Sequence, residues 1–266
     1  MTEERESVIL ESGGEKIFGV LHRPSGKGPH PAVLVCHGLA GHKTGKFRVY
    51  VDLATRLTDR GIAVFRFDYR GCGDSEGELL TATPDKHVED AAVCLKYMEG
   101  QPAIDNSRIG IFGRSFGGPI AVIAASRFPH VKSLVLWCPM FNGKQWIDQW
   151  HLVLTKAVDK EAKAEMMRIN GQQMSGEFFK HFFRIDLTED MAKLNHVPFL
   201  HIQGESDTRI NLEHAHAFER CRKQAEAESR FIRLPNTDHD FSHYKEKLHA
   251  LDETSAWFEK TLEANR

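Results

Sequence analysis

Gly113-Arg114-Ser115-Phe116-Gly117 is a G-x-S-x-G pentapeptide. It stands between a β-like run, SRIGIFG at 107–113, and a small-residue helical run over 116–127. In that setting the two glycines permit a tight strand-to-helix turn that strains the backbone of the central serine and pushes its hydroxyl outward. The chemistry this suits is nucleophilic attack on a carbonyl carbon. A serine hydroxyl is a weak nucleophile at neutral pH, so it needs a general base that an acid holds in place. Asp207 follows the run VPFLHIQG, and His239 follows the next β-like run, FIRL. Both would leave parallel strands at the same sheet edge as Ser115, in the order serine, acid, histidine. Asp207 would fix the His239 tautomer and stabilise the imidazolium as it forms.

Other residues compete for these roles. Asp238 and Asp240 flank His239, but adjacent carboxylates cannot easily turn onto its Nδ1, and Glu205 is the main rival of Asp207. His201 lies inside a strand and His243 in the last loop or helix. His214 and His216 are two apart on one helix, so they face different ways and make a poor metal pair. These are expected to be structural or solvated. A tetrahedral oxyanion needs two N–H donors, and losing one typically costs about 10²–10³ in rate. Phe116, directly after the serine and at the start of a helix, offers one. His37-Gly38-Leu39, in the loop CHGLAGHKTGK, offers the other through Leu39, with Gly38 permitting the turn that aims that amide inward.

The elements that position these residues follow from periodicity. Residues 7–11 and 15–22 read as a hairpin around Ser12-Gly13-Gly14. Strands follow at 31–36, 62–68, 107–113, 132–138, 197–204 and 229–234. Helices are predicted at 47–60, from Thr83-Pro84 to Gly100, and at 116–127, 211–226 and 245–262. Strands alternating with helices imply parallel crossovers and a sheet covered on both faces. Between Phe141 and Lys193 no convincing strand is visible. That stretch reads as a helical insertion over the sheet's C-terminal edge, where ligand crevices of open α/β sheets lie. In it Phe178, Phe179, Phe182 and Phe183 make one broad apolar face, and Trp146 and Trp150 are four apart. These aromatics either form the insert's own small core or line a pocket.

The segments CHGLAGHKTG, FRFDYRGCGDSEGE, GRSFGG, GESD and DHDF occur in this order. On them, over about residues 30–264, the chain resembles the α/β-hydrolase serine esterases, most of all bacterial cytosolic carboxylesterases of the feruloyl/cinnamoyl esterase type. The resemblance implies an eight-stranded, mostly parallel sheet with a compact helical insert after the sixth strand. It implies Ser115, His239 and Asp207 as a triad, Leu39 and Phe116 as oxyanion donors, and no cofactor. Arg114 and Phe116 stand where feruloyl esterases commonly carry His and Gln. In the loop at 67–78, Gly71, Gly73 and Asp74-Ser75 suggest a tight turn pinned by its own polar side chains; a catalytic role for Asp68 or Asp74 is the alternative, and the resemblance makes the stretch scaffold. The expected organisation is a core of residues 1–140 and 194–266 with a cap at 141–193. His37, Trp146, Trp150 and Phe179 are the candidate substrate-binding residues.

Composition narrows the rest. The 266 residues carry a net charge of −2 and 41% hydrophobic residues, an ordinary globular balance without a basic footprint for nucleic acid. No apolar run approaches the roughly 18 residues of a membrane span, and the start MTEERESVIL does not resemble a signal peptide. Five scattered cysteines without a C-x-x-C pair argue against a disulfide framework or structural zinc and for the cytoplasm. The expected reaction is hydrolysis of a small-molecule carboxylic ester through an acyl-enzyme, with no metal. The same triad would serve thioester or amide cleavage and acyl transfer. A non-catalytic binding protein that uses the aromatic insert as its contact surface is the reading from another class. An exposed aromatic insert could also support a homodimer.

Overall fold

The structure, a computed structural model, describes residues 3–148, 151, 161, 164–165 and 167–263. Ten strands are described: β1 (Glu4–Ser12), β2 (Glu15–Arg23), β3 (His30–Cys36), β4 (Ala63–Phe67), β5 (Ile104–Arg114), β6 (Val131–Trp137), β7 (Arg168–Ile169), β8 (Gln172–Gln173), β9 (Phe199–Gly204) and β10 (Ser229–Leu234). Eight form one sheet in the order β1-β2-β4-β3-β5-β6-β9-β10. β2 pairs antiparallel with β1 and with β4, and every later pair is parallel. The inner strands read as unbroken apolar runs because both their faces are covered. In β3, Ala32, Leu34 and Cys36 enter one core cluster, while Val33 and Val35 enter the other.

Helices α1 (Val49–Thr58) and α7 (Tyr244–Leu262) cover one face, burying Leu53, Leu57, Leu251 and Phe258. The other face is covered by α2 (Pro84–Glu99), α3 (Gly117–Arg127) and α6 (Leu212–Arg222). α2 begins as its sequence predicts: Pro84 opens the first turn and the Thr83 hydroxyl accepts from the Lys86 amide at 3.3 Å. α6 stops four residues short of its expected end. The stretch after it is rich in helix formers and carries no Gly or Pro stop, so local propensity overshoots. A tertiary anchor sets the end instead: buried Arg222 donates to the carbonyls of Leu194 and Val197 at 2.7 and 2.8 Å.

Between β6 and β9 the described residues include α4 (Gly176–Arg184) and α5 (Thr188–Lys193). They also include a pair of short strands, β7 and β8, where no strand is expected from periodicity. Their turn is Asn170-Gly171, both residues in the left-handed region (φ 51° and 76°), the dipeptide that two-residue hairpins favour. The strands are too short for an alternation of apolar and polar residues to register. α4 is capped by the Ser175 hydroxyl, which accepts from the Phe178 amide at 3.0 Å. Its inner face sends Phe178 into the core. Among the described residues no helix is long and apolar enough to cross a membrane, and the five cysteines are free.

Candidate active site

Ser115 sits where β5 gives way to α3, with φ of 56°. That left-handed conformation is costly for a non-glycine residue. The glycines on either side make the turn sterically possible. A Cβ on Gly113 would lie 2.6 Å from the Gly117 carbonyl oxygen, and one on Gly117 would clash with the carbonyls of Cys36 and His37. The Ser115 amide donates to the Trp137 carbonyl at 2.9 Å, which ties the turn to β6.

His239 Nε2 lies 2.9 Å from Ser115 Oγ, and its Nδ1 lies 2.7 Å from Asp207 Oδ2. With a carboxylate on Nδ1 the imidazole carries its proton there, so Nε2 accepts from the serine hydroxyl. Asp207 is fully engaged: its Oδ1 accepts the amides of Arg209 and Ile210 at 2.8 and 3.0 Å. Burial alone would raise this carboxyl, but the hydrogen bonds from His239 and the two amides outweigh it and hold it below its ordinary range. Glu205 is exposed on the same loop.

The Leu39 and Phe116 amides have no hydrogen-bond acceptor among the described residues. The turn that carries Leu39 differs from expectation in one respect. Gly38 has no positive φ, and a Cβ on it would make ordinary 3.4 Å contact with the Ser115 Cβ. The left-handed residue is Ala40, at φ 49°, and the Gly41 amide closes the turn on the Gly38 carbonyl at 3.1 Å. Asp68 braces the loop from below, accepting the Lys43 and Asp74 amides at 2.5 and 2.9 Å.

Ser115 and His239 open onto a cavity of about 960 Å³. Trp146 and Phe179 line it, together with Phe182, Phe183, Met140 and Ile210. Trp146 packs edge-on against Phe182 with centroids 5.1 Å apart. Phe178 turns away from the cavity lining to pack against Phe116 at 5.6 Å, so the insert's aromatics divide between a core and a wall. Trp150 lies outside the described residues. His37 also lines the cavity, yet both its ring nitrogens are engaged. Nδ1 donates to the Gly38 carbonyl at 2.8 Å and Nε2 accepts the Tyr69 amide at 3.3 Å. Burial pushes its pKa down to about 4, so it is a neutral brace for the Leu39 loop.

Several site residues carry no motif. Arg114 donates through Nη2 to the His239 carbonyl at 2.7 Å and to Asp240 at 2.8 Å. His214 accepts the Phe141 amide at 3.0 Å on Nδ1 and donates to Gln145 at 2.7 Å. Gln145 in turn donates to the Arg209 carbonyl at 2.9 Å, joining the insert to the Asp207 loop. The departure from a family residue at 114 was the one available signal for the first of these. Among the described residues Cys138, Asp207 and His239 bring donor atoms within 4.8 Å of one another. They fit a metal poorly: Asp207 and His239 bond each other, and burial holds the Cys138 thiol protonated, far above its usual range.

The sheet order and the elbow define an α/β hydrolase. Residues 27–178, more than half of the chain, match the family model described as serine aminopeptidase, S33, and the chain belongs to that family. It is 37% identical over 120 residues to an uncharacterized 31.7 kDa protein of the traX-finO intergenic region of Escherichia coli, covering 45% of this chain and 41% of that one. It is 36% identical over 140 residues to the esterase FrsA of Klebsiella pneumoniae, covering 52% of this chain and 32% of FrsA. The chain thus spans less than half the length of these curated relatives. Among solved structures, Est1E of Butyrivibrio proteoclasticus with bound ferulic acid superposes with a TM-score of 0.78 at 19% identity, over 96% of this chain and 98% of that one.

Proposed function

We propose that the protein is a serine esterase that cleaves carboxylic esters through an acyl-enzyme. The observation that carries this reading is the hydrogen-bonded series from Asp207 through His239 to Ser115 at 2.7 and 2.9 Å, opening on a cavity. Ser115 Oγ attacks the acyl carbon while His239 Nε2 takes its proton, and the oxyanion forms against the Leu39 and Phe116 amides. The Nε2 proton passes to the leaving alcohol. A water then gives a proton to His239 and attacks the acyl carbon; the bond from that carbon to Ser115 Oγ breaks, Oγ takes the proton back from His239, and the acid leaves. The esterase FrsA is a relative of known class, and Est1E was solved with ferulic acid; both support an ester.

The family description names aminopeptidases, whose substrates present a free ammonium. Recognition of an ammonium calls for carboxylates, and the only acidic side chain among the described lining residues, Asp240, already meets three cations. This favours the ester. The free cysteines support a cytoplasmic setting.

A fluorophosphonate should label Ser115 in the folded protein, and Ser115→Ala should abolish labelling and lower ester turnover on the order of 10⁶-fold. A panel of p-nitrophenyl esters, an acyl-CoA and an aminoacyl amide, each assayed with and without chelator, checks the class. Faster cleavage of the amide than of any ester, or loss of activity with chelator, would overturn the proposal.

A further inference from the structure

The cavity is lopsided in charge. Its described lining contains Lys46, Arg114, Arg168 and Arg209 against the single carboxylate of Asp240. Arg168 is neutralised by Glu165 at 2.5 Å. The other three converge on Asp240, with Lys46 Nζ at 2.5 Å, Arg114 Nη2 at 2.8 Å and Arg209 Nη2 at 3.4 Å. Among the described residues no second carboxylate lies within ion-pair distance of any of them. Three positive charges therefore share one negative charge.

The three cations are not equivalent. Arg114 is buried (8% exposed) and committed to the His239 carbonyl and Asp240. Lys46 and Arg209 are more than half exposed, at 54% and 57%. An ammonium has three donors and a guanidinium five, so Asp240 leaves most of theirs unused. Lys46, Arg209, Asp240 and His239 line the same cavity, so this pair shares it with the imidazole that would protonate a leaving alcohol. The insert contributes an aromatic wall of Trp146, Phe179, Phe182 and Phe183, beside Gln145, Ile169, Asn170 and the paired Arg168.

Building on the esterase reading, we infer that the substrate is an ester whose alcohol portion carries an anionic oxyacid group, carboxylate or phosphate, held by Lys46 and Arg209. Its acyl portion is apolar and rests on the insert's aromatic wall. Attack forms the bond from Ser115 Oγ to the acyl carbon and breaks the bond from that carbon to the alcohol oxygen. The serine proton travels through His239 to that oxygen, and the alcohol departs with its anionic group unchanged.

Three butyrate esters of similar leaving-group strength test this: 3-carboxyphenyl, 3-phosphonooxyphenyl and the neutral 3-carbamoylphenyl. At low ionic strength the wild type should show kcat/KM roughly ten-fold higher for at least one anionic ester than for the neutral one, declining with added salt. The preferred anion identifies the group. Lys46→Gln with Arg209→Gln should bring the ratio close to one, and Lys46→Glu with Arg209→Glu below one. Because each ratio is taken within one preparation, partial misfolding lowers both rates and leaves the ratio intact. A wild-type ratio of one or less for both anions, or a ratio the double variants do not move, overturns the inference while the esterase reading stands. Hydrolysis of none of the three overturns both.

Discussion

In the proposed triad, Asp207 must be a carboxylate and not its amide. Its Oδ1 already accepts two backbone amides, so an asparagine would turn its carbonyl toward them and its NH₂ toward His239. The imidazole would then accept on Nδ1 and carry its proton on Nε2, facing the serine in the wrong tautomer. Asp207→Asn should therefore lower kcat by about 10⁴ with the fold intact, read from steady-state rates and an unchanged far-UV spectrum. Arg114 acts at one remove, as a positioning residue that holds the backbone of His239 and the side chain of Asp240. Arg114→Met should lower kcat on a neutral ester roughly 10²-fold with little change in KM, and Arg114→Lys should fall between; a change confined to KM would assign it to binding instead. Ser115, Asp207 and His239 were legible because each stands just past a strand of the same sheet. Lys46, Gln145 and Arg209 were not, because loops remote in sequence bring them together. The adjacency argument kept Asp240 off Nδ1, and the structure gives it a different task as the partner of three cations.

The strand–turn–helix unit from β5 to α3 has no slack at Gly117, whose missing side chain admits the backbone of Cys36 and His37. Gly117→Ala must push α3 away from the loop after β3, which carries Leu39. The expected outcome is a loss of about 1–3 kcal/mol, as for other overpacked sites, measured as a shift in the denaturant midpoint, together with reduced labelling of Ser115. A variant as stable and as reactive as the wild type would refute this account of the elbow. The inner strands and α2 were readable because their apolar runs, cap and stops are local. The end of α6 was not, since distant carbonyls around Arg222 decide it. The β7–β8 turn did carry a local signal in Asn170-Gly171, but two-residue strands leave no period to find.

Among the described residues, burial lowers the pKa of five buried histidines, His22 among them. Burial pushes the imidazoles of His37 and His214 down to about 4 and those of His87 and His201 to about 3, from an ordinary 6.5. The unfolded chain protonates them near 6.5 and the folded chain does not. The stability they contribute is therefore present above that pH and lost as pH falls from 6.5 toward 4 and then 3. Each gives roughly 1 kcal/mol per pH unit across its own window. Asp240, at about 2 because its bonds to Lys46 and Arg114 outweigh the upward push of burial, adds a further loss only as pH falls from its ordinary 3.8 toward 2. Thermal unfolding should show a midpoint that declines below pH 6.5, well before carboxylates titrate. His201 sits among Phe199, Phe218 and Phe231, and His201→Phe should flatten that decline. A midpoint unchanged between pH 7 and 5 would contradict the account.

Phe116 belongs to two structures at once. It lines the cavity beside Ser115 with an amide that has no acceptor among the described residues, while its ring is clasped by Phe178 and Phe182 of α4 at 5.6 and 5.9 Å. If residues 141–193 act as the expected cap, that cap is consequently not an interchangeable part. A chimera bearing a foreign cap would have to import a matching residue at 116, and on the proposed mechanism that residue would bring its own placement of an oxyanion donor. Broadening of substrate range by cap exchange, in the laboratory or by descent, would thereby be coupled to the rate of the proposed chemistry.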